Sequence, residues 1–206
     1  MNKKWISFEG GEGSGKTTLI KALEKRFKEA GQSVLTTREP GGVPVAEKIR
    51  HILLDKTKDH MDPMTEAILF AASRRQHLVE KVLPALEEGK IVLMDRYVDS
   101  SVVYQGYARG LGMERIAKLN EYATSGMMPS LTFYLDLDPE VGMKRIQTNK
   151  RDQNRLDLES MDFHHKIRQG YQLLCEGEER IHCVDANQSM EALLEEVWKV
   201  IQEKLG

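Results

Sequence analysis

Five short runs rich in apolar residues, at 4–9, 33–37, 90–95, 131–136 and 180–184, alternate with stretches whose apolar residues recur at helical spacing. Strand then helix, repeated, is the order that builds a parallel sheet with helices on both faces, so the expected class is α/β with five parallel strands. The run Ile91-Val92-Leu93-Met94 is apolar without alternation, as a strand covered on both faces requires, which places it at the sheet's centre. Asp62-Pro63 and Asp138-Pro139 each pair a capping carboxylate with proline at the first helical position, so both open helices. After Asp62, apolar Met64, Ile68, Ala71, Leu78 and Val82 form one stripe that lines the core. A last helix over about 190–205 carries Leu193, Leu194, Val197, Trp198 and Ile201 in the same way. Residues 149–157 are polar with no apolar period, the mark of a mobile surface loop.

Between the first strand and the first helix lies Gly10-Gly11-Glu12-Gly13-Ser14-Gly15-Lys16-Thr17-Thr18. Gly10, four residues, then Gly15-Lys16-Thr17 satisfy the phosphate-binding loop pattern, in which backbone N–H groups and a helix N-terminus converge on a polyphosphate. Lys16 is placed to reach the β and γ phosphates and the Thr17 hydroxyl to ligate Mg²⁺. A dinucleotide fingerprint does not fit, because Glu12 and Lys16 stand where that spacing needs glycine.

The chain has 206 residues, a length suited to one domain that buries its own core, and no composition shift divides it. We expect a single domain over 1–206 carrying a short lid at about 149–157. A formal charge of −2 leaves no field to recruit nucleic acid or an anionic membrane, so any anion is bound locally. Cys175 and Cys183 have neither redox-motif nor zinc spacing, the chain start lacks a signal-peptide core, and the longest apolar stretch, residues 67–72, is too short to span a membrane. A cytoplasmic protein is expected.

Asp95 ends a strand, and in this sheet class ligands collect at the carboxyl edge; it can hold Mg²⁺ opposite Thr17, or act as a cap or pair with Arg96. Arg96 itself suits phosphate oxygens. Arg38 and Glu39 follow the second strand and reach the same edge, although a plain surface turn explains the Pro-Gly-Gly after them equally well. Phe70 and Arg74, four apart on a helix, can stack on a base and donate to its carbonyl, or serve as a core ring and a solvated cation. Ser100, Ser101, Tyr104 and Gln105 supply hydroxyl and amide groups, the composition for reading a base edge.

The phosphate loop, Arg38-Glu39-Pro40-Gly41-Gly42, Leu69 to Arg75, Asp95-Arg96-Tyr97, Ser100-Ser101, Tyr104-Gln105-Gly106 and Arg155-Leu156-Asp157 together resemble the bacterial thymidylate kinases, from about Phe8 to Asp185 and in family order. The resemblance implies transfer of the γ-phosphoryl group of ATP to dTMP with Mg²⁺, for dTTP supply, in a homodimer. It also implies roles: Phe70 stacked on thymine, Arg74 and Gln105 bonded to it with Ser101 close by, Arg38, Arg50 and Arg96 around the acceptor phosphate, and Glu12 facing the 3′-hydroxyl. Tyr104 would lie against C2′ and disfavour ribose, and Arg145 along the adenine.

Joining two anionic nucleotides demands preorganised cations, and phosphate-loop residues 11–14 offer only acidic Glu12. Lys150, Arg151 and Arg155 in the polar loop are the supply, unless they are simply a solvated cluster; Arg155 is preferred because it continues the family pattern. Two other functions remain open, a kinase for another pyrimidine monophosphate and a nucleotide-switched binding module. The second would hydrolyse ATP without regard to any monophosphate.

Overall fold

The computed structural model describes residues 4–56, 61–148 and 154–205. Five parallel strands, β1 (Trp5–Glu9), β2 (Val34–Arg38), β3 (Ile91–Asp95), β4 (Leu131–Asp136) and β5 (Ile181–Asp185), form one sheet in the order β2-β3-β1-β4-β5. The expected α/β class holds, with one correction. The central strand is β1, and β3 lies between β1 and β2. An unbroken apolar run reports burial on two faces, and any interior strand has that; the connections decide which one is central.

Helix α1 (Lys16–Glu29) follows β1, α2 (Pro44–Leu54) follows β2, and α3 (Pro63–His77) runs through a π-helical stretch, Leu78–Val82, into α4 (Leu83–Glu87). After β3 come α5 (Val98–Ser101), a second π-helical stretch, Val102–Ala108, and α6 (Met113–Thr124). Then α7 (Pro139–Thr148) follows β4, α8 (Met161–Gly177) precedes β5, and α9 (Met190–Leu205) closes the chain. Both expected proline starts occur: Asp62 Oδ1 accepts from the Thr65 N–H at 2.9 Å, and Asp138 Oδ1 from the Glu140 N–H at 3.1 Å.

Alternation along the strands sorts the core into layers. Ile6, Phe8, Ile91, Leu93 and Phe133 face α1 and α9, while Trp5, Val92 and Met94 face the helices on the other side. On that second side Tyr134 packs with Val103, Phe163 and Tyr171. In α9, Leu193, Val197 and Ile201 are buried, with Leu194 and Trp198 at the margin, as the stripe requires. The α3 stripe needs correcting, because Ile68 is 51% exposed while Glu66, Phe70, Ser73, Arg74 and His77 are buried. The inner face of α3 is turned to polar partners, so apolar spacing misplaces it by part of a turn.

The polar string also differs from a plain surface loop. Its described end carries a 3₁₀ turn, Leu156–Leu158, with Leu156 and Asp157 buried. Asn154 Oδ1 accepts from the Leu156 N–H and Asp157 Oδ2 from the Asn154 N–H, so short polar side chains close the turn on itself. Lys150 and Arg151 fall outside the described residues. Among the described residues no helix is long and apolar enough to cross a membrane.

Candidate active site

Parallel register sets Phe8 beside Asp95 and Arg38 beside Asp95, so the carboxyl ends of β1, β2 and β3 open together. A cavity of about 510 Å³ lies over that edge. The phosphate loop forms one wall. Gly13 adopts φ +73°, and a Cβ on it would stand 2.3 Å from the Gly142 carbonyl oxygen; a Cβ on Gly142 would reach within 2.2 Å of the Glu12 carbonyl oxygen. Two glycines therefore seat the loop directly on α7.

Lys16 is the first residue of α1, whose start has no side-chain cap and no acidic residue in its first turn, leaving N–H groups to an anion. Its Nζ donates to the carbonyls of Gly10 at 3.1 Å and Gly11 at 2.9 Å and to Ser14 Oγ at 3.2 Å. Burial, followed by nearby Arg96, lowers its ammonium to about 8. Thr17 Oγ1 donates to Asp95 Oδ2 at 2.9 Å.

Arg96 sits in the left-handed region at φ +70°, an uncommon place for a residue other than glycine. Its guanidinium donates to Glu12 Oε1 at 2.7 Å and Ser100 Oγ at 3.2 Å and lies 5.0 Å from the centre of the Tyr104 ring. The Tyr104 hydroxyl donates to the same Glu12 oxygen at 3.2 Å, and burial lifts its phenol far above the usual value. At the outer rim Arg38 donates to Glu47 at 2.9 Å and Arg50 to the Pro40 carbonyl at 2.9 Å. Burial, then Arg38, lowers the Arg50 value.

Phe70, Arg74, Ser101 and Gln105 also line the cavity. Arg74 is 2% exposed and donates to Glu39 Oε2 at 2.7 Å, Ser101 Oγ at 3.1 Å, the Tyr97 carbonyl at 3.0 Å and Asn120 Oδ1. Glu39 holds His77 Nδ1 on its other oxygen at 2.9 Å. Arg145 reaches the Ala186 carbonyl at 3.3 Å and lines the cavity beside Met190.

From Glu12 to Thr18 the loop lines this cavity, as do Arg38, Glu39, Arg50, Phe70, Arg74, Asp95, Arg96, Ser100, Ser101, Tyr104, Gln105 and Arg145. Gly10 and Gly11 contribute carbonyls to Lys16 from behind it. Arg155 does not line the cavity: its guanidinium is turned to the Leu53 carbonyl at 2.9 Å and to Glu66 Oε2.

Several residues at the site carry no motif. Glu9, at the end of β1, is fully buried and accepts from the Tyr97 N–H at 2.7 Å, Ser100 Oγ at 2.5 Å and the Tyr171 hydroxyl at 2.8 Å. Burial and then Asp99 raise its carboxyl to about 7. Glu66, Asn120, Tyr171, His77 and Gly142 were likewise missed. The one signal available was an acid closing the otherwise apolar run Trp5-Ile6-Ser7-Phe8.

Compared with known proteins, the chain matches the family model described as Thymidylate kinase over residues 8–197. The thymidylate kinase of Bacillus licheniformis is 52% identical, with 100% of this chain and 98% of that one covered. That of Bacillus cereus is 53% identical with both chains covered in full, and that of Clostridium novyi 52% identical over 96% of this chain and 98% of its own. The crystal structure of thymidylate kinase from Ehrlichia chaffeensis superposes with a TM-score of 0.79 at 31% identity, covering 98% of this chain and 100% of that one.

Proposed function

Because this chain belongs to the thymidylate kinase family, we propose that the cavity at the carboxyl end of β1 and β3 is where dTMP receives its second phosphoryl group. The chain is an ATP-dependent nucleoside monophosphate kinase that converts dTMP to dTDP. What supports the placement is that one cavity is lined by two unlike sets of groups, Lys16 with the phosphate loop, and Phe70, Arg74 and Gln105, each set bonded to its own partners.

In this reading the loop amides, Lys16, Ser14 and Thr18 hold the triphosphate, and Arg145 flanks the adenine. Arg38, Arg50 and Arg96 hold the acceptor phosphate and Glu12 takes the 3′-hydroxyl. Phe70 stacks on the thymine, Arg74 and Gln105 bond to it, and Tyr104 closes the space at C2′. Glu39 holds Arg74, and Ser100 is held against Glu9 and Arg96. A monophosphate is largely dianionic near neutral pH, so its oxygen attacks in line without a strong base. The positioning is supplied by the walls, and closure over the reacting groups excludes water.

A hard divalent cation fits the donors present. Thr17 Oγ1 and Asp95 Oδ2 are adjacent oxygen donors at the loop's mouth, and among the described residues no cluster of three or more acidic or histidine groups forms an all-protein cage. One hydroxyl and one carboxylate, completed by water and phosphate, suit Mg²⁺, which would spread charge across the β and γ phosphates. Arg155 is the cation that swings in from the lid, with Arg151, outside the described residues, as its companion. The same reading makes the enzyme a cytoplasmic homodimer; Val45 and Ile52 on α2 and Ile68 on α3 expose apolar surface that suits such packing.

Steady-state rates with ATP, Mg²⁺ and dTMP, dUMP, CMP, AMP or GMP test the placement together with Arg74→Ala. The variant should weaken dTMP while leaving ATP binding near normal; equal weakening of both would show a folding defect instead, and unchanged dTMP binding would remove Arg74 from the base.

A further inference from the structure

Glu66 lies on α3, with its side chain 1% exposed, and it does not line the cavity. Its Oε1 accepts from Gln105 Nε2 at 2.8 Å and Arg109 Nε at 3.5 Å; its Oε2 accepts from Arg109 Nη2 at 3.4 Å and from Arg155 Nη2. Burial would lift this carboxyl, but Arg109, Gln105 and Arg155 outweigh it and hold the group below its ordinary value. An ionised carboxylate only accepts, so the Gln105 atom that faces Glu66 is the NH₂. Gln105 lines the cavity, and the carbonyl oxygen of the same amide accepts no hydrogen bond from the described residues.

Resting on the assignment of Gln105 to the base, we propose that Glu66 is a positioning residue for specificity: by fixing the Gln105 amide with its oxygen toward the cavity, it makes the site demand a ring N–H. Thymine presents an N–H between two carbonyls, whereas cytosine presents a bare ring nitrogen beside an amino group. Facing a fixed acceptor, cytosine sets lone pair against lone pair. A glutamine free to turn could satisfy either base, so a rejected base costs most where the amide is locked.

The two oxygens of Glu66 are not equivalent, and the difference predicts what Glu66→Gln does. Two arginine Nη donors converge on Oε2, whereas Oε1 has, besides Gln105, only Arg109 Nε at the 3.5 Å limit, so the new amide keeps its oxygen at Oε2 and sets its NH₂ against Gln105. Gln105 then turns over and offers its own NH₂ to the base.

The test is kcat/KM for dTMP and dCMP in wild type and Glu66→Gln, with melting temperature recorded for each. The expected result is a roughly tenfold rise in KM for dTMP and at least a roughly tenfold fall in the dTMP-to-dCMP preference, read as one lost and one inverted hydrogen bond. Any change in lid behaviour from a weaker hold on Arg155, now bonded to a neutral oxygen, acts on both acceptors and cancels in that ratio, as does a general loss of stability. An unchanged ratio overturns the proposal. If Glu66→Gln does not fold, Glu66→Met combined with Arg109→Met takes its place, since a buried ion pair is often replaceable by apolar chains when both partners go, and Arg155 keeps the Leu53 carbonyl. Met frees the amide to turn, so the preference must again fall. Gln105→Leu separates the two levels: a normal dTMP KM in that variant removes Gln105 from the base, whereas a raised KM there with an unchanged ratio in the Glu66 variants removes only Glu66.

Discussion

Lys16 carries a depressed ammonium in the free enzyme, at about 8, because it is buried among loop carbonyls with Arg96 close by. Phosphate oxygens at the same place favour the charged form, so ATP binding must draw a proton onto Lys16 wherever the free enzyme has lost it. The free enzyme is missing about half a proton at pH 8 and about nine-tenths at pH 9. Apparent affinity for ATP should then fall about tenfold, or about 1.4 kcal/mol, between about pH 7 and pH 9. The terminal phosphate of a nucleotide titrates near 6, below this window. Calorimetric titrations with MgATP in two buffers of different ionisation enthalpy measure both the affinity and the proton uptake. Lys16→Arg supplies the reference, because a guanidinium stays charged throughout. If the arginine variant loses affinity in parallel, or wild type takes up no proton at about pH 8, then Lys16 is not the titrating group and the desolvation argument fails.

Two further outcomes follow from the packing. Gly142→Ala puts a Cβ within 2.2 Å of the Glu12 carbonyl, backbone that cannot rotate aside, so the loop must shift. We expect kcat/KM for ATP to fall about a hundredfold, although alanine favours a helix interior by about 1 kcal/mol over glycine; wild-type kinetics in this variant would show that the loop tolerates displacement. Glu9, raised to about 7 by burial and Asp99, keeps its proton in the folded chain while the unfolded chain releases it near 4.5. The folded state thus binds more protons across that window, and stability falls as pH rises from about 4.5 to 7, by about 3 kcal/mol at most. Glu9→Gln should remove that slope in urea midpoints measured at about pH 5 and pH 7, and parallel profiles would mean that Glu9 is ionised throughout.

What could be read from the chain alone was whatever is encoded by local spacing. The phosphate loop, the strand runs, the proline-capped starts of α3 and α7 and the Phe70–Arg74 pair all depend on residues within a turn or two of each other. The partners of the site cations do not. Glu39 meets Arg74 across 35 positions, Glu12 meets Arg96 across 84 and Glu66 meets Arg155 across 89. No periodicity marks such pairs, because only the sheet order and helix packing bring them together. The α3 stripe failed for a related reason: Ile68 and Glu66 exchange the places that hydropathy assigns them, since the inner face of α3 serves a polar site. The turn at Leu156–Leu158 was legible in principle from Asn154 and Asp157, three apart and both able to cap, but a string of polar residues conceals it.

Those long-range pairs also explain how the proposed nucleotide cavity tolerates its own cations. Arg74 and Glu39 are each 2% exposed, and breaking such a pair strands a buried charge at a cost of about 3–5 kcal/mol. Where the base is proposed to sit the guanidinium is therefore fixed, which suits recognition of a neutral ring. Arg38 and Glu47 at the rim are 52% and 33% exposed, a pair worth about 1 kcal/mol or less. That partner can be exchanged for a phosphate at little cost. Arg96 with Glu12 lies between these limits at 16% and 11%, held in place by its backbone and by Tyr104. In the proposed placement, firmness thus declines from the residues that would read the base toward those that would bind and release a dianion. Arg155, on Glu66 and the Leu53 carbonyl, follows the same logic: two other side chains also hold its carboxylate, so the departure proposed for it would leave Glu66 still paired.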